Sequence, residues 1–433
     1  MNPEIQSQVV NSVEQHSDEV VRFLQELVKR ESVTGHEAPI QDFIASKLRD
    51  MGLDVDLFDT DPSLLRHYPG FLEPEQSLSQ RPNVVGVWKG TGGGRSLLFN
   101  GHVDTVPVEP VEQWVDGPFS GAIRDGKLFG RGASDMKSGL AAMTMAVWYL
   151  QKAGLRLRGD VILEYTVDEE RTGLGTLMCV NRGYRADAGI SCETSDLEVM
   201  PACIGRMWFT IHVIGKAAGI SAHWEGVSAI GKAIKIVQAI EDLEKMRVED
   251  LHHPLLPDNR GALPCTVTVF QAGAHPSSPP AEALLRGSFG LMPYEDPKQV
   301  EQQLRDQVER VAKADPWLRH HIPEVTTEDG YVAAGAEIPQ DHPIVQTVKK
   351  SFRFVTGRPP VLGARKGAAD TRHLIRLGET PTVIFGPGPT PLMHAMNEYV
   401  SVDNLVTATK VLALAIYDWC NQPKEPPVAS AAV

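Results

Sequence analysis

Apolar residues recur at helical spacing from the start of the chain. Val9, Val13, Val20, Val21, Leu24, Leu27 and Val28 predict an amphipathic helix over residues 5–29. Thr34 followed by Glu37 has the form of a capping box and predicts a second helix ending near Met51. Short β-type runs at 53–58 and 83–88 flank a proline-rich polar excursion over 59–81. The run at 96–100 reads as a buried strand. A helix over 136–152 and strands at 160–167 and 188–192 follow. Strands alternating with helices predict an α/β fold with a largely parallel central sheet flanked by helices.

Near Arg206 the pattern changes. Residues 207–215 alternate as a half-buried strand, 227–245 and 296–313 read as amphipathic helices, and 265–273 and 283–292 as further strands. That order predicts a small α+β sandwich inserted into the larger domain. The first pattern then resumes with a helix near 343–356, a loop over 363–373, a strand at 380–386 and a closing helix at 402–419. The division expected is 1–205 and 328–421 for the larger domain, 206–327 for the insert, and a disordered tail at 422–433.

Chemistry enters at the predicted strand ends, where parallel sheets collect ligands. His102 and Asp104 leave the strand at 96–100. Asp135 precedes a helix, in the position of a cap, and Glu169 and Glu170 follow the strand at 160–167. Glu193 ends the strand at 188–192, and His394 lies in a late loop. A lone His-x-Asp pair or an Asp at a helix start is commonplace in loops, and 168–170 also suits a solvated acidic turn. Together, two imidazoles and several carboxylates form a borderline donor set suited to zinc, manganese or cobalt. Glu169, next to a ligand, could then serve as a general base.

Composition removes other classes. The 433 residues carry 55 acidic against 42 basic side chains, net −13, which argues against nucleic acid or anionic membrane as a partner. No basic and apolar leader precedes the first helix, and the apolar run at 140–150 is too short to span a bilayer. Five cysteines without a CxxC pair suggest a reduced, cytoplasmic setting. Gly92–Gly94 lacks the Lys-Ser/Thr of a phosphate loop and reads as a turn. Gly173 and Gly175 lack the third glycine of a dinucleotide fingerprint and follow acidic residues that would repel pyrophosphate.

The strings GHVDTVP, WVDGPFSGAIRDGKLFGRGASDMKSGLAA, VDEERTGLGT and CETSDLEV, with the late FGPG and MHAMNEYVSVDNL, resemble the acetylornithine deacetylase and succinyl-diaminopimelate desuccinylase group of metal-dependent aminoacylases and carboxypeptidases (metallopeptidase family M20). The resemblance implies a hydrolase of amide bonds in small N-acyl amino acids or related carboxylate-bearing compounds, with exopeptidase or aminohydrolase activity as the alternative. A non-catalytic binding protein on the same fold would lack a ligand or the base, and none is missing. The resemblance implies two divalent metal ions, zinc foremost, with cobalt or manganese as substitutes. His102 and Glu193 would hold one ion, Glu170 and His394 the other, and Asp135 would bridge them. Asp104 would orient His102, and Glu169 would be the base. The insert would be a lid that also forms a homodimer, and Arg372 would clamp a substrate carboxylate. The string GKAAGISAHWEGVSAI departs from the group. Where its members carry a lid histidine this chain has Gly219, and His223 could substitute for it as an oxyanion donor or stand exposed on a loop.

Overall fold

The computed structural model describes residues 3–327 and 331–424. At its centre the strands Val161–Thr166, Leu97–His102, Ala188–Ser191 and Thr382–Ile384 run parallel, side by side. Antiparallel strands Pro82–Trp88 and Asp54–Asp59 extend one edge. On the other edge Val199–Cys203 pairs with Leu362–Arg365 and Ala336–Glu337, completing nine strands. Every residue of Leu97–His102 and Val161–Thr166 is buried, as expected of strands covered on both faces. Leu97 and Phe99 pack with the helices Ser138–Lys152 and Val402–Cys420. Leu98, pointing the other way, meets Cys179 and Leu374 of the opposite layer. Gly139 lets helix Ser138–Lys152 lie directly on the segment that delivers Glu193, because a Cβ there would collide with the Cys192 carbonyl.

A second sheet of five antiparallel strands is built on Gly205–Ile214, Glu282–Leu291 and Cys265–Ala272. Helices Ala229–Asp250 and Pro297–Ala314 cover it, and these elements share their own apolar cluster around Phe209, Ile236, Leu285 and Leu304. A third, small sheet pairs Lys127–Phe129 with both Ile123–Arg124 and Tyr399–Ser401.

Several local expectations are corrected. The opening helix is two, Pro3–Gln15 and Ser17–Lys29, broken at His16, whose backbone is not helical. The capping box does not form: Glu37 turns from helix Ala38–Asp50 to pair with Arg81, and Thr34 donates to Asp104. Asp135 caps no helix, since helix Ser138–Lys152 starts beyond it without a side-chain cap. The loop expected at 363–373 contains the end of a strand, Leu362–Arg365, and the start of a short helix, Thr371–Arg376. The expected disordered tail lies, from residue 425 onward, outside the described residues.

Candidate active site

The loops at the carboxyl ends of the parallel strands bring the sequence-predicted residues into one cluster. Asp135 stands at its centre. Its Oδ1 lies 3.2 Å from His102 Nε2 and its Oδ2 lies 3.6 Å from His394 Nε2. Glu193 Oε1 is 3.6 Å from the same His102 nitrogen, and Glu170 Oε2 is 2.9 Å from His394. Single donor atoms of His102, Asp135 and Glu170, and likewise of His102, Glu169 and Glu193, fall within 4.8 Å of one another. His102 and Glu193 are buried, whereas the His394 side chain is half exposed.

The surroundings fix these groups. His102 Nδ1 lies 2.9 Å from the Asp104 carbonyl, with the Asp104 carboxylate 3.6 Å away. That carboxylate is occupied with the backbone N–H groups of Glu169 and Glu170, both at 3.2 Å, and with the Thr34 hydroxyl. The expected orienting contact to His102 is therefore made chiefly by the Asp104 backbone, while its side chain holds the turn that carries Glu169 and Glu170. Asp168, at the start of that turn, adopts φ 68° and is buried beside Arg81, which also makes two hydrogen bonds to Glu37. The acidic triplet is thus a locked turn rather than a solvated one.

Negative charge dominates the cluster. Burial opposes protonation of His102, yet Asp135, Glu169, Glu193 and Asp104 raise its pKa well above the usual imidazole value. Burial raises Glu193, with Asp135 adding to it and Arg365 opposing. Glu193 Oε1 is buried with no hydrogen-bond partner, a costly state for a carboxylate oxygen unless a cation faces it. Donor types, spacing and this orphaned oxygen all fit divalent cations.

Two candidates stand apart. His223 sits on the exposed turn Ile220–Glu225, its Nδ1 3.3 Å from the Ile220 carbonyl, and no hydrogen bond among the described residues joins it to the cluster. Arg372 is buried, 3.4 Å from Asp370 and 3.3 Å from the Thr172 carbonyl, over the face of Tyr331. Sequence reasoning missed two buried groups. Arg365 lies 3.2 Å from Glu193 Oε2 and donates to the Thr194 hydroxyl at 2.8 Å. Glu398 accepts bonds from the loop that carries Asp135. Glu398 was signalled only by its place inside the string MHAMNEYVSVDNL, and Arg365, in a segment read as a loop, carried no signal, since neither position has a periodicity of its own. Beside Glu170 opens a cavity of about 360 Å³ lined by Phe71, Trp208, Tyr331, Glu73, Glu75 and Arg171 among others.

Residues 98–418 match Peptidase family M20/M25/M40, and the chain belongs to that family. It is accordingly a hydrolase of the M20 type. It is 31% identical to an N-formyl-4-amino-5-aminomethyl-2-methylpyrimidine deformylase of Bacillus subtilis, over 95% of this chain and 97% of the relative. It is 26% identical to a succinyl-diaminopimelate desuccinylase of Leptothrix cholodnii, over 88% and 93%. Its fold is similar to that of an M20-family metallo-carboxypeptidase from Sulfolobus solfataricus, with a TM-score of 0.70 at 18% identity and coverage of 92% and 98%. No helix among the described residues is long and apolar enough to cross a membrane.

Proposed function

We propose that the chain is a two-metal amidohydrolase that removes a small acyl group from a small N-acyl amine. The observation that carries the reading is Asp135, whose two oxygens face two different imidazoles inside a cage of carboxylates. His102 and Glu193 would hold one divalent ion, Glu170 and His394 the other, and Asp135 both. When bound, the ions would supply Lewis acidity to a water and to the amide carbonyl. Glu169 takes the proton from the attacking water and passes it to the leaving nitrogen. Zinc is the first choice for this His and carboxylate set, with cobalt or manganese able to replace it.

Two substrate types fit. An N-acyl amino acid would use Arg372 as its carboxylate clamp, but Arg372 already faces Asp370 and Thr172. A planar heteroaromatic amine finds more support. The cavity beside Glu170 offers the rings of Phe71, Trp208 and Tyr331, and its acidic side chains would repel a carboxylate. The 31% identical relative is named for an N-formyl aminopyrimidine. The insert, residues 206–327, would act as lid and homodimer surface, with His223 reaching an active site from there. Five buried free thiols suit a reducing compartment, the cytoplasm.

The test is turnover of N-formyl, N-acetyl and N-succinyl derivatives of aminomethylpyrimidine and of amino acids, together with simple dipeptides. The enzyme is stripped with chelator and refilled with zinc, cobalt or manganese. Metal-dependent release from one acyl class, with no faster cleavage of dipeptides, is expected. Dipeptides outpacing every N-acyl compound would replace the deacylase by a peptidase. Full activity in the stripped protein would end the metal reading.

A further inference from the structure

The two loops that carry Asp135 and His394 leave neighbouring strands of one small sheet. Phe129 pairs with Tyr399, and Leu128 with Val400. One loop runs forward from Phe129 to Asp135, and the other runs back from Tyr399 to His394. At the fork sits Glu398, fully buried. Its Oε1 accepts from the backbone N–H groups of Ser134, at 2.7 Å, and Asp135, at 2.9 Å. Its Oε2 accepts from Gly132 N, at 3.0 Å, and from Arg131 Nη1, at 2.8 Å. Arg131 in turn donates to the carbonyl of Ala395, next to His394, and Gly130 N donates to the Glu398 carbonyl. Both oxygens of a single carboxylate are thus committed to the backbone around Asp135, while its own backbone is four residues from His394. The other metal-facing side chains have separate supports: His102 is buried on a central strand, and Glu193 is backed by Arg365. His394 is half exposed, with φ 60°, and lies on the second branch of this fork, 3.6 Å from Asp135 Oδ2.

We infer that Glu398 is a positioning residue that sets the separation of Asp135 and His394, and so the affinity of the second metal position, the one formed with Glu170. The inference rests on the two-metal reading above. Its logic is geometric: four donors converge on one buried carboxylate, and each of them is on or beside the Asp135 loop. A glutamine would have to turn its NH2 towards two of those donors, and an aspartate would fall one methylene short.

The test is calorimetric titration of chelator-stripped full-length protein with Zn2+, comparing wild type, Glu398→Gln and Glu398→Asp. Turnover is then measured on the best substrate at limiting and at saturating zinc. Two ions are expected in the wild type. In the variants the weaker ion should lose about 10- to 100-fold in affinity, the size seen when partners of metal ligands are removed. The tighter ion should shift by less than about threefold, and saturating zinc should restore most of kcat. Unchanged affinity for both ions would overturn the inference. So would activity that stays lost with both sites filled, since that is the mark of a general structural role. If Glu398→Gln fails to fold, Glu398→Asp decides on the same criteria, because it keeps the charge and an acceptor for the N–H groups. A wild type that binds fewer than two ions removes the two-metal reading itself, and two ions in the wild type with unchanged variants removes only the role of Glu398.

Discussion

Glu169 is enclosed by like charge: burial first, then Glu193, Asp370 and Glu170, raise its pKa well above the usual carboxylate value, with His102 opposing. Divalent cations on the neighbouring ligands would bring it back into a range where it can accept a proton and return it. Glu169→Gln keeps shape and removes that capacity. The variant should bind two metal ions and lose about 100- to 10,000-fold in kcat, checked by elemental analysis beside steady-state kinetics. Near-normal turnover would remove Glu169 from the chemistry. His102, Glu169, Glu170 and Glu193 were legible as candidates because each falls at or just beyond the end of a predicted strand, where the fold class itself directs ligands. Asp135, before a helix, and His394, in a late loop, were legible only as metal-binding residue types. Their grouping into metal positions came from the resemblance. Which atom faces which was not legible. Asp104 turned its carboxylate to a backbone turn, and Arg372 met Asp370 inside the protein.

At the scale of elements, helices with strong amphipathic patterns were read well except for the break at His16, and capping was read poorly. Thr34 and Glu37 fit a local rule, but Arg81, far along the chain, binds Glu37 more strongly than a helix end would, through two hydrogen bonds in a buried site. The two helices that cover the second sheet are joined by a similar long-range carboxylate. Asp315 follows helix Pro297–Ala314 and accepts from Lys232, at 2.8 Å, and Lys235, at 2.7 Å, both on helix Ala229–Asp250. It also accepts from the N–H groups of Trp317 and Leu318. Burial alone would raise its pKa, but the two lysines and these N–H groups hold it far below the usual carboxylate range. A depressed folded-state pKa contributes stability above the unfolded value of about 3.9, and that contribution disappears as pH falls through the lower folded value. Asp315→Asn should therefore cost about 2 kcal/mol at pH 7, and the cost should shrink below about pH 4, measured by urea unfolding of metal-free protein. A difference that stays constant down to pH 2 would contradict the assignment.

For the whole molecule, the net charge of −13 keeps copies apart unless an apolar surface brings them together. The second sheet and its helices carry exposed apolar side chains that suit the homodimer surface proposed above. Ile230 and Ile234 are exposed one turn apart on helix Ala229–Asp250, and Phe270 is exposed on the edge strand Cys265–Ala272. Unpaired apolar positions on an edge strand and an adjoining helix suit self-association. Light scattering should give twice the 47.4 kDa chain mass for the wild type. An Ile230→Lys, Ile234→Lys double variant should return the mass of one chain with its helix content unchanged. A dimer that survives both lysines would move the interface elsewhere.

The sequence by itself determined the fold class, the order in which strand ends deliver acidic and imidazole groups, and the family motifs. These depend on periodicities of two and 3.6 residues and on short strings, both local properties of a chain. The tertiary structure alone decided how the site is held. Glu398 grips a loop more than 260 residues before it, Arg365 backs Glu193, and Arg81 ties Glu37 to Asp168. Buried charges find partners wherever the packed core brings them, because leaving one unpaired costs several kcal/mol. No spacing along the chain records that choice.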